Sequence, residues 1–121
     1  AYNRGAILSG VSAGAICWFD SGITDSWASN LNIMECLGFI EGTCCPHYDE
    51  EIDRRPTVDE FLSKQLISSC IAIEGECELH IRDGKVFSSI AFGKGKKSYS
   101  VNLKNKKVVE TQFDSKDISI K

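Results

Sequence analysis

The chain has 121 residues, of which 42% are hydrophobic, 26% are charged and only two are proline. This composition is typical of a folded globular chain and excludes the disordered, collagen-like and low-complexity classes. The formal net charge of −3 disfavours a nucleic-acid-binding surface. No apolar stretch approaches the ~20 residues that a membrane-crossing helix needs. We therefore expect one compact cytoplasmic domain with neither nucleic acid nor membrane as a partner.

The six cysteines fall below the density of small disulfide-stapled domains, so we interpret them as reduced, mostly buried side chains. A metal site built from Cys44, Cys45 and His47 was considered as an alternative. Adjacent cysteines lack the two-to-four-residue gap of structural zinc sites, and we expect neither a metal nor a cofactor.

The first half of the chain predicts a strand, a turn and a helix. Ala6–Leu8 is a short apolar run that ends at Ser9 and Gly10, which is typical of a buried strand entering a turn. Ala13–Phe19 has small and apolar residues with helical potential. The polar stretch 20–30 is expected to be a loop, and the type of 31–40 stays open.

The second half predicts one helix followed by antiparallel strands. Thr57 as N-cap and Glu60 as its capping-box partner indicate a helix start. The turn signals 82–85 and 104–106 predict two hairpins. The predicted strands are Ile71–Ile73, Glu78–Ile81, Val86–Ile90, Tyr99–Leu103 and Lys107–Phe113. The predicted class is α/β.

The predicted strand at the start of the chain needs parallel neighbours on both sides. No sequence before it supplies them, and the hairpins downstream suit one edge at most. We therefore expect residues 1–121 to be the C-terminal portion of a longer protein, whose N-terminal half would be a partner of this one.

The pentapeptide Gly10-Val11-Ser12-Ala13-Gly14 matches G-x-S-x-G between the predicted strand and helix. This is the context of a nucleophile elbow, in which a tight turn exposes the serine hydroxyl. The N–H groups that open the following helix could stabilise an oxyanion. The alternative is a tight glycine–serine turn that only packs a helix on a strand.

A serine nucleophile needs a base, and the chain has two histidines, His47 and His80. His47 follows Cys-Cys-Pro in a polar loop, whereas His80 lies in an alternating strand pattern. We favour His47 as the general base. The acid that orients the imidazole is left open among Asp25, Glu74 and Glu76.

Several motifs in order resemble the peptidase E family of serine peptidases. They are Gly-Val-Ser-Ala-Gly-Ala with Cys-Trp-Phe, then Thr-Asp-Ser, Cys-Pro-His-Tyr-Asp and Arg-Arg-Pro, spread over about residues 4–103. The resemblance implies a parallel sheet similar to class I glutamine amidotransferases, with hairpins toward the C-terminus. It also implies metal-free hydrolysis of short peptides after an N-terminal aspartate.

The resemblance assigns roles to individual residues. Ser12 falls on the nucleophile and His47 on the catalytic histidine, while Asp25 falls on one candidate acid. The other candidate acid aligns around Glu74 to Glu76, where Gly75 could occupy the position itself. The pair 54–55 holds arginines that could meet the substrate carboxylate, since guanidinium and carboxylate pair bidentately.

The same comparison implies that the N–H of Ala13 is one oxyanion donor and that the other comes from a glycine-rich loop in the absent N-terminal half. We therefore expect the isolated chain to be weakly active or inactive. The alternative functions are an esterase of the α/β-hydrolase type and a binding or regulatory module with a vestigial site. Homodimerisation through a sheet edge or a helix stays open.

Overall fold

The computed structural model describes residues 2–25 and 30–117. These residues form two sheets, two α-helices and one short 3₁₀ turn. The helices are α1 (Ala13–Ile16) and α2 (Arg54–Ser63), and the 3₁₀ turn is Tyr2–Arg4. The strands are β1 (Phe19–Thr24), β2 (Asn32–Glu35), β3 (Ile40–Cys45), β4 (Ser69–Ile73), β5 (Cys77–Arg82), β6 (Lys85–Ala91), β7 (Ser98–Lys104), β8 (Lys107–Gln112) and β9 (Ser115–Asp117).

The main sheet has the strand order β2-β1-β3-β4-β7-β8. Its three central strands, β1, β3 and β4, run parallel, whereas the strands on either flank pair antiparallel. The α/β class is confirmed, with the parallel strands at the centre and the hairpins toward the C-terminus. A second sheet of order β5-β6-β9 carries the remaining strands.

The main core packs α2 against the central strands. Val58 and Leu62 of α2 are buried with Ile23 of β1 and Val101 of β7. A smaller cluster places Ile16 of α1 against the other side of the parallel strands. Both helices are thus fixed to the sheet by apolar burial, which is the main stabilising term for amphipathic elements.

The segment Ala6–Leu8, predicted as a strand, has no regular structure, and the Ile7 side chain is 93% exposed. A strand exists only where a neighbour accepts its backbone hydrogen bonds, and within the described residues none pairs with this segment. The predicted helix from residue 13 is also shorter than expected, because β1 begins at Phe19.

β1 replaces part of the predicted loop 20–30, and residues 26–29 of that prediction lie outside the described part. The Ser, Asp and Gly content suggested a loop, but Gly22 and Ile23 are buried in the parallel sheet. A Cβ at Gly22 would come within 3.0 Å of the Ile16 side chain. The glycine here allows α1 to approach the sheet closely, which is a packing requirement rather than a turn signal.

The predicted cap of α2 is wrong. The helix begins at Arg54 with Asp53 as N-cap, and the N–H of Thr57 donates within the helix to the carbonyl of Asp53. Both predicted hairpins are confirmed. The β5–β6 turn has φ of 52° at Asp83 and 76° at Gly84, and the β7–β8 turn has two central residues with positive φ.

Candidate active site

Ser12, the predicted nucleophile, adopts a backbone conformation that is rare for a residue with a side chain. Ser12 has φ 55° and ψ −119°, directly before α1. A Cβ at Gly10 would come within 3.0 Å of the Gly14 carbonyl, so only glycine fits at that position. The strained turn holds the hydroxyl at the N-terminal end of α1, although within the described residues the strand that precedes the serine of a nucleophile elbow is not formed.

His47 lies directly beyond β3 and reaches the elbow serine. Its Nε2 is 2.8 Å from the Ser12 Oγ, and the imidazole is about one-third exposed. The residue has φ 56°, and Pro46 before it is buried. The structure therefore brings together the two residues that sequence analysis placed in the roles of nucleophile and base.

The other ring nitrogen of His47 meets a carboxylate that the sequence did not indicate. Its Nδ1 is 2.8 Å from Oε1 of Glu50, three residues along the same loop. Ser12, His47 and Glu50 thus form a continuous hydrogen-bonded chain. With Nδ1 protonated and donating to Glu50, Nε2 is an acceptor that faces the serine hydroxyl.

The acids named from the sequence lie elsewhere. Glu74 accepts the backbone N–H of Lys97 at 2.7 Å, and its other oxygen is 3.5 Å from the Tyr99 hydroxyl. The backbone of Glu76 joins the start of β5 to the end of β6. Asp25 lines the same cavity as Ser12 and His47, but no His47 hydrogen bond to it is found among the described residues. Among the acids that the structure describes, Glu50 is the one found hydrogen-bonded to the imidazole.

A cavity of about 280 Å³ opens beside the Ser12–His47 pair. Its lining residues are Ser12, Ala13, Ile16, Ile23, Thr24, Asp25, Pro46, His47, Glu51 and Arg54. The volume suits a small ligand such as a short peptide end rather than a folded chain. Ala13 is the first residue of α1, so its N–H has no partner inside the helix.

The two arginines that sequence analysis associated with the substrate have different surroundings. Arg54 lines the cavity with a buried side chain whose Nη2 is 2.6 Å from Oε1 of Glu51 and whose Nη1 donates to the Ile23 carbonyl at 2.7 Å. Arg55 instead donates to Glu110 at 2.8 Å and stacks over Tyr48. It does not line the cavity.

Burial and neighbouring charged groups shift the pKa values of several side chains behind the site. Burial raises the pKa of the Cys45 thiol to about 11, although the nearby Arg54 guanidinium opposes this shift. Burial and the Glu110 carboxylate raise the pKa of Tyr48. Cys44, Cys45 and Cys70 are free, buried thiols, and burial raises the pKa of each. They are therefore protonated packing groups at neutral pH.

Neither a metal cluster nor a membrane-spanning helix is found in the described part. Within residues 2–25 and 30–117, no group of three or more His, Cys, Asp or Glu side chains is arranged to hold a metal ion. In the same residues, no helix has the length and hydropathy that crossing a bilayer requires.

Comparison with known proteins gives two matches. The profile of Peptidase family S51 matches residues 1–89. Over 110 residues the chain is 38% identical to the "Uncharacterized peptidase YgaJ" of Bacillus subtilis (strain 168). That match covers 91% of this chain and 47% of the relative, so the chain spans about half of the relative's length. The chain belongs to Peptidase family S51.

Proposed function

We propose that this chain carries the catalytic serine and histidine of a serine peptidase that cleaves short peptides. The observation that carries the proposal is the chain of 2.8 Å contacts from Ser12 through His47 to Glu50, at the mouth of a small cavity. Membership of a peptidase family supports the reaction class. Such a nucleophile–base–acid arrangement is the usual means of activating a serine hydroxyl.

The proposed mechanism uses each of these groups once in each half of the reaction. Nε2 of His47 accepts the Ser12 proton while Oγ attacks the peptide carbonyl, and the N–H of Ala13 donates to the oxyanion. The imidazolium then protonates the leaving amine. Water attacks the acyl-enzyme with His47 again as base, and the imidazolium returns the proton to the Ser12 Oγ as the acid product leaves. Glu50 holds the imidazole in the tautomer that leaves Nε2 free to accept.

We further propose that the chain is the C-terminal portion of a larger domain similar to class I glutamine amidotransferases. The length match to the relative supports this proposal, as does the exposure of Ile7 and Val11 beside the nucleophile. If the second oxyanion donor comes from the other portion, we expect the isolated chain to be weakly active or inactive. Loss of one such donor typically lowers turnover by ~10²–10³.

The preference for an N-terminal aspartate is a finer proposal, and it depends on Arg54. The guanidinium lines the cavity but already holds Glu51, so a substrate carboxylate would share or replace that partner. The proposal is tested by comparing kcat/KM for Asp-, Ala- and Lys-initiated dipeptides. A preference for the lysyl peptide would instead assign Asp25 and Glu51 the dominant role in the cavity.

Fluorophosphonate labelling of the natural polypeptide that carries this chain tests the central proposal. The reagent forms an Oγ–phosphorus bond and releases fluoride, and we expect the adduct on Ser12. Ser12→Ala should remove it, while Ser9→Ala, an exposed neighbour, should retain it. An unreactive Ser12 in the folded polypeptide would instead support a vestigial site. Faster turnover of neutral esters than of any peptide would support an esterase.

A further inference from the structure

The loop between β3 and α2 carries both His47 and Glu50. It lies against the end of β4 and the segment that follows it. The Tyr48 N–H donates to the carbonyl of Ile73 at 3.0 Å, which anchors the loop to the end of β4. Two residues later in the chain, Gly75 lies against Glu50. The position of the acid therefore depends on the shape of a neighbouring segment as well as on its own loop.

Gly75 leaves the space that the Glu50 carboxylate occupies. A Cβ built on Gly75 would lie within 3.0 Å of the Glu50 carboxyl carbon, of its Oε1 and of its Cγ. Oε1 is the oxygen that lies 2.8 Å from the Nδ1 of His47. Any side chain at position 75 would therefore displace the very atom that contacts the imidazole.

The backbone of Gly75 does not itself require glycine. Positive φ, the conformation that favours glycine, occurs at Gly5, Gly38, Gly42, Gly84 and Gly95, but not at Gly75. The requirement at position 75 is room for a neighbouring carboxylate rather than an unusual turn.

The same residue also ties down the loop through its N–H. Gly75 N donates to Oδ1 of Asp49 at 2.8 Å, and the Lys96 ammonium pairs with the other oxygen of that carboxylate. Asp49 lies between His47 and Glu50 in the chain, so this contact holds the middle of the loop. The N–H of Gly75 thus holds Asp49, while the absence of a Cβ leaves the space that Glu50 occupies.

We propose that Gly75 is a positioning residue of the triad, which admits the Glu50 carboxylate to Nδ1 of His47 and anchors the loop through Asp49. This inference rests on the proposed function, since it concerns how that triad is held. A side chain added at position 75 acts through Glu50, so the effects of substitutions at the two positions must be coupled.

A double-mutant cycle in the natural polypeptide tests the coupling. Gly75→Ala should lower kcat by about tenfold or more with little change in KM, because a misplaced acid impairs the base rather than substrate binding. Glu50→Ala should lower kcat at least as much. In the Glu50→Ala background the added methyl group meets no carboxylate, so Gly75→Ala should then cost nothing further. Additive losses would overturn the proposal.

Two further variants separate positioning from general crowding. Gly93→Ala introduces a Cβ within 3.0 Å of Lys96 and Glu76 side-chain atoms rather than of Glu50, and it should retain most activity. In Gly75→Glu/Glu50→Ala the new carboxylate grows into the vacated space and should regain part of the activity that Glu50→Ala lost. No regain in a folded double variant would count against the proposal.

Nitrogen-15 NMR of the His47 ring gives a readout that does not depend on turnover. We expect the tautomer protonated at Nδ1 in the wild-type polypeptide and its loss in Gly75→Ala, with Gly93→Ala resembling wild type. An unchanged tautomer in Gly75→Ala would overturn the inference. The expected tautomer change together with an unreactive Ser12 would contradict the proposed peptidase function and leave the geometric role of Gly75 intact.

Discussion

The parallel strands and the second sheet make different contributions to this molecule. Asp25 directly follows β1, whereas His47 and Gly75 each lie two residues beyond the ends of β3 and β4, so residues at the site follow the carboxyl ends of all three parallel strands. The second sheet, β5-β6-β9, contributes none of the residues found to line the cavity. Parallel strands bring their carboxyl ends to one edge, which concentrates loop chemistry there.

The second sheet serves a different purpose. Ile81 of β5 packs against the cluster formed by Ile16 and Phe19, behind the elbow helix. Its outer surface leaves Phe87 and Phe92 exposed. The direction of the parallel strands and the short loops that follow them position the residues of the site. The second sheet supports this arrangement by packing against α1. The predictions below test that division of labour.

The largest effect should come from the nucleophile. Ser12→Ala should lower turnover of the natural polypeptide by about 10⁴–10⁶-fold, because no other hydroxyl has been found beside the Nε2 of His47. Steady-state kinetics on a short peptide checks this. As the control on the hairpin sheet, Ser88→Ala should leave kcat within about twofold. Normal activity of Ser12→Ala would contradict the placement of the reaction at the carboxyl ends of the parallel strands.

Replacing the acid should have the next largest effect. Glu50→Gln should lower kcat by about 10²–10⁴-fold, since a neutral amide cannot stabilise the imidazolium; the half-exposed carboxylate places the effect toward the lower value. Glu74→Gln should change kcat far less, because Glu74 contacts Lys97 and Tyr99 instead of His47. The opposite ranking would restore Glu74 as the candidate acid.

Arg54 tests how strongly the cavity wall depends on a buried charge. Arg54→Met should lower the free energy of unfolding by about 2–3 kcal/mol, because it leaves the Ile23 carbonyl and Glu51 without their partner. Urea unfolding followed by circular dichroism measures the change. The matched change on the second sheet, Arg82→Met, removes only an exposed contact with Phe87 and should cost under about 1 kcal/mol.

We expect the Asp49 carboxylate to make a small contribution to stability that depends on pH. Although burial acts to raise it, hydrogen bonds from Lys96 and the Gly75 N–H hold the Asp49 pKa below its ordinary value. A depressed folded-state pKa contributes stability that is present at neutral pH and is lost as the pH falls through about 4 and below. The difference in unfolding free energy between wild type and Asp49→Asn should therefore shrink on acidification. A difference that grows at acid pH would contradict the pairing.

Sequence analysis predicted the nucleophile and the base because each is marked by local chemistry. Gly10 and Gly14 flank Ser12 in a turn that few other residues could form, and His47 is one of only two histidines. Both hairpin turns were likewise readable from Asp83-Gly84 and from Asn105, because Gly, Asn and Asp tolerate positive φ.

The remaining features depend on contacts between distant segments. Glu50 is one of four acids in 49–53, and the sequence does not show which of them meets His47 or that Gly75, 25 residues later, leaves room for it. Residues 20–24 fall in the predicted loop but belong to β1, because burial between antiparallel β2 and parallel β3, not intrinsic propensity, makes Phe19–Thr24 a strand. The sequence predicts the start of α2 at Thr57, but the helix begins at Arg54. No side-chain hydrogen bond caps it there, and Arg54 is held by its ion pair with Glu51.

The spacing of His47 and Glu50 has a consequence for how the site can be switched on and off. In a triad whose three members come from three separate segments, two independent distances must be correct at once. Here base and acid share one four-residue stretch that is tied down at Tyr48 and Asp49. Assembly of the three groups therefore depends on one relative position, that of residues 47–50 against Ser12. A displacement of that stretch would separate Nε2 of His47 from the Ser12 Oγ and leave the contact between His47 and Glu50 intact.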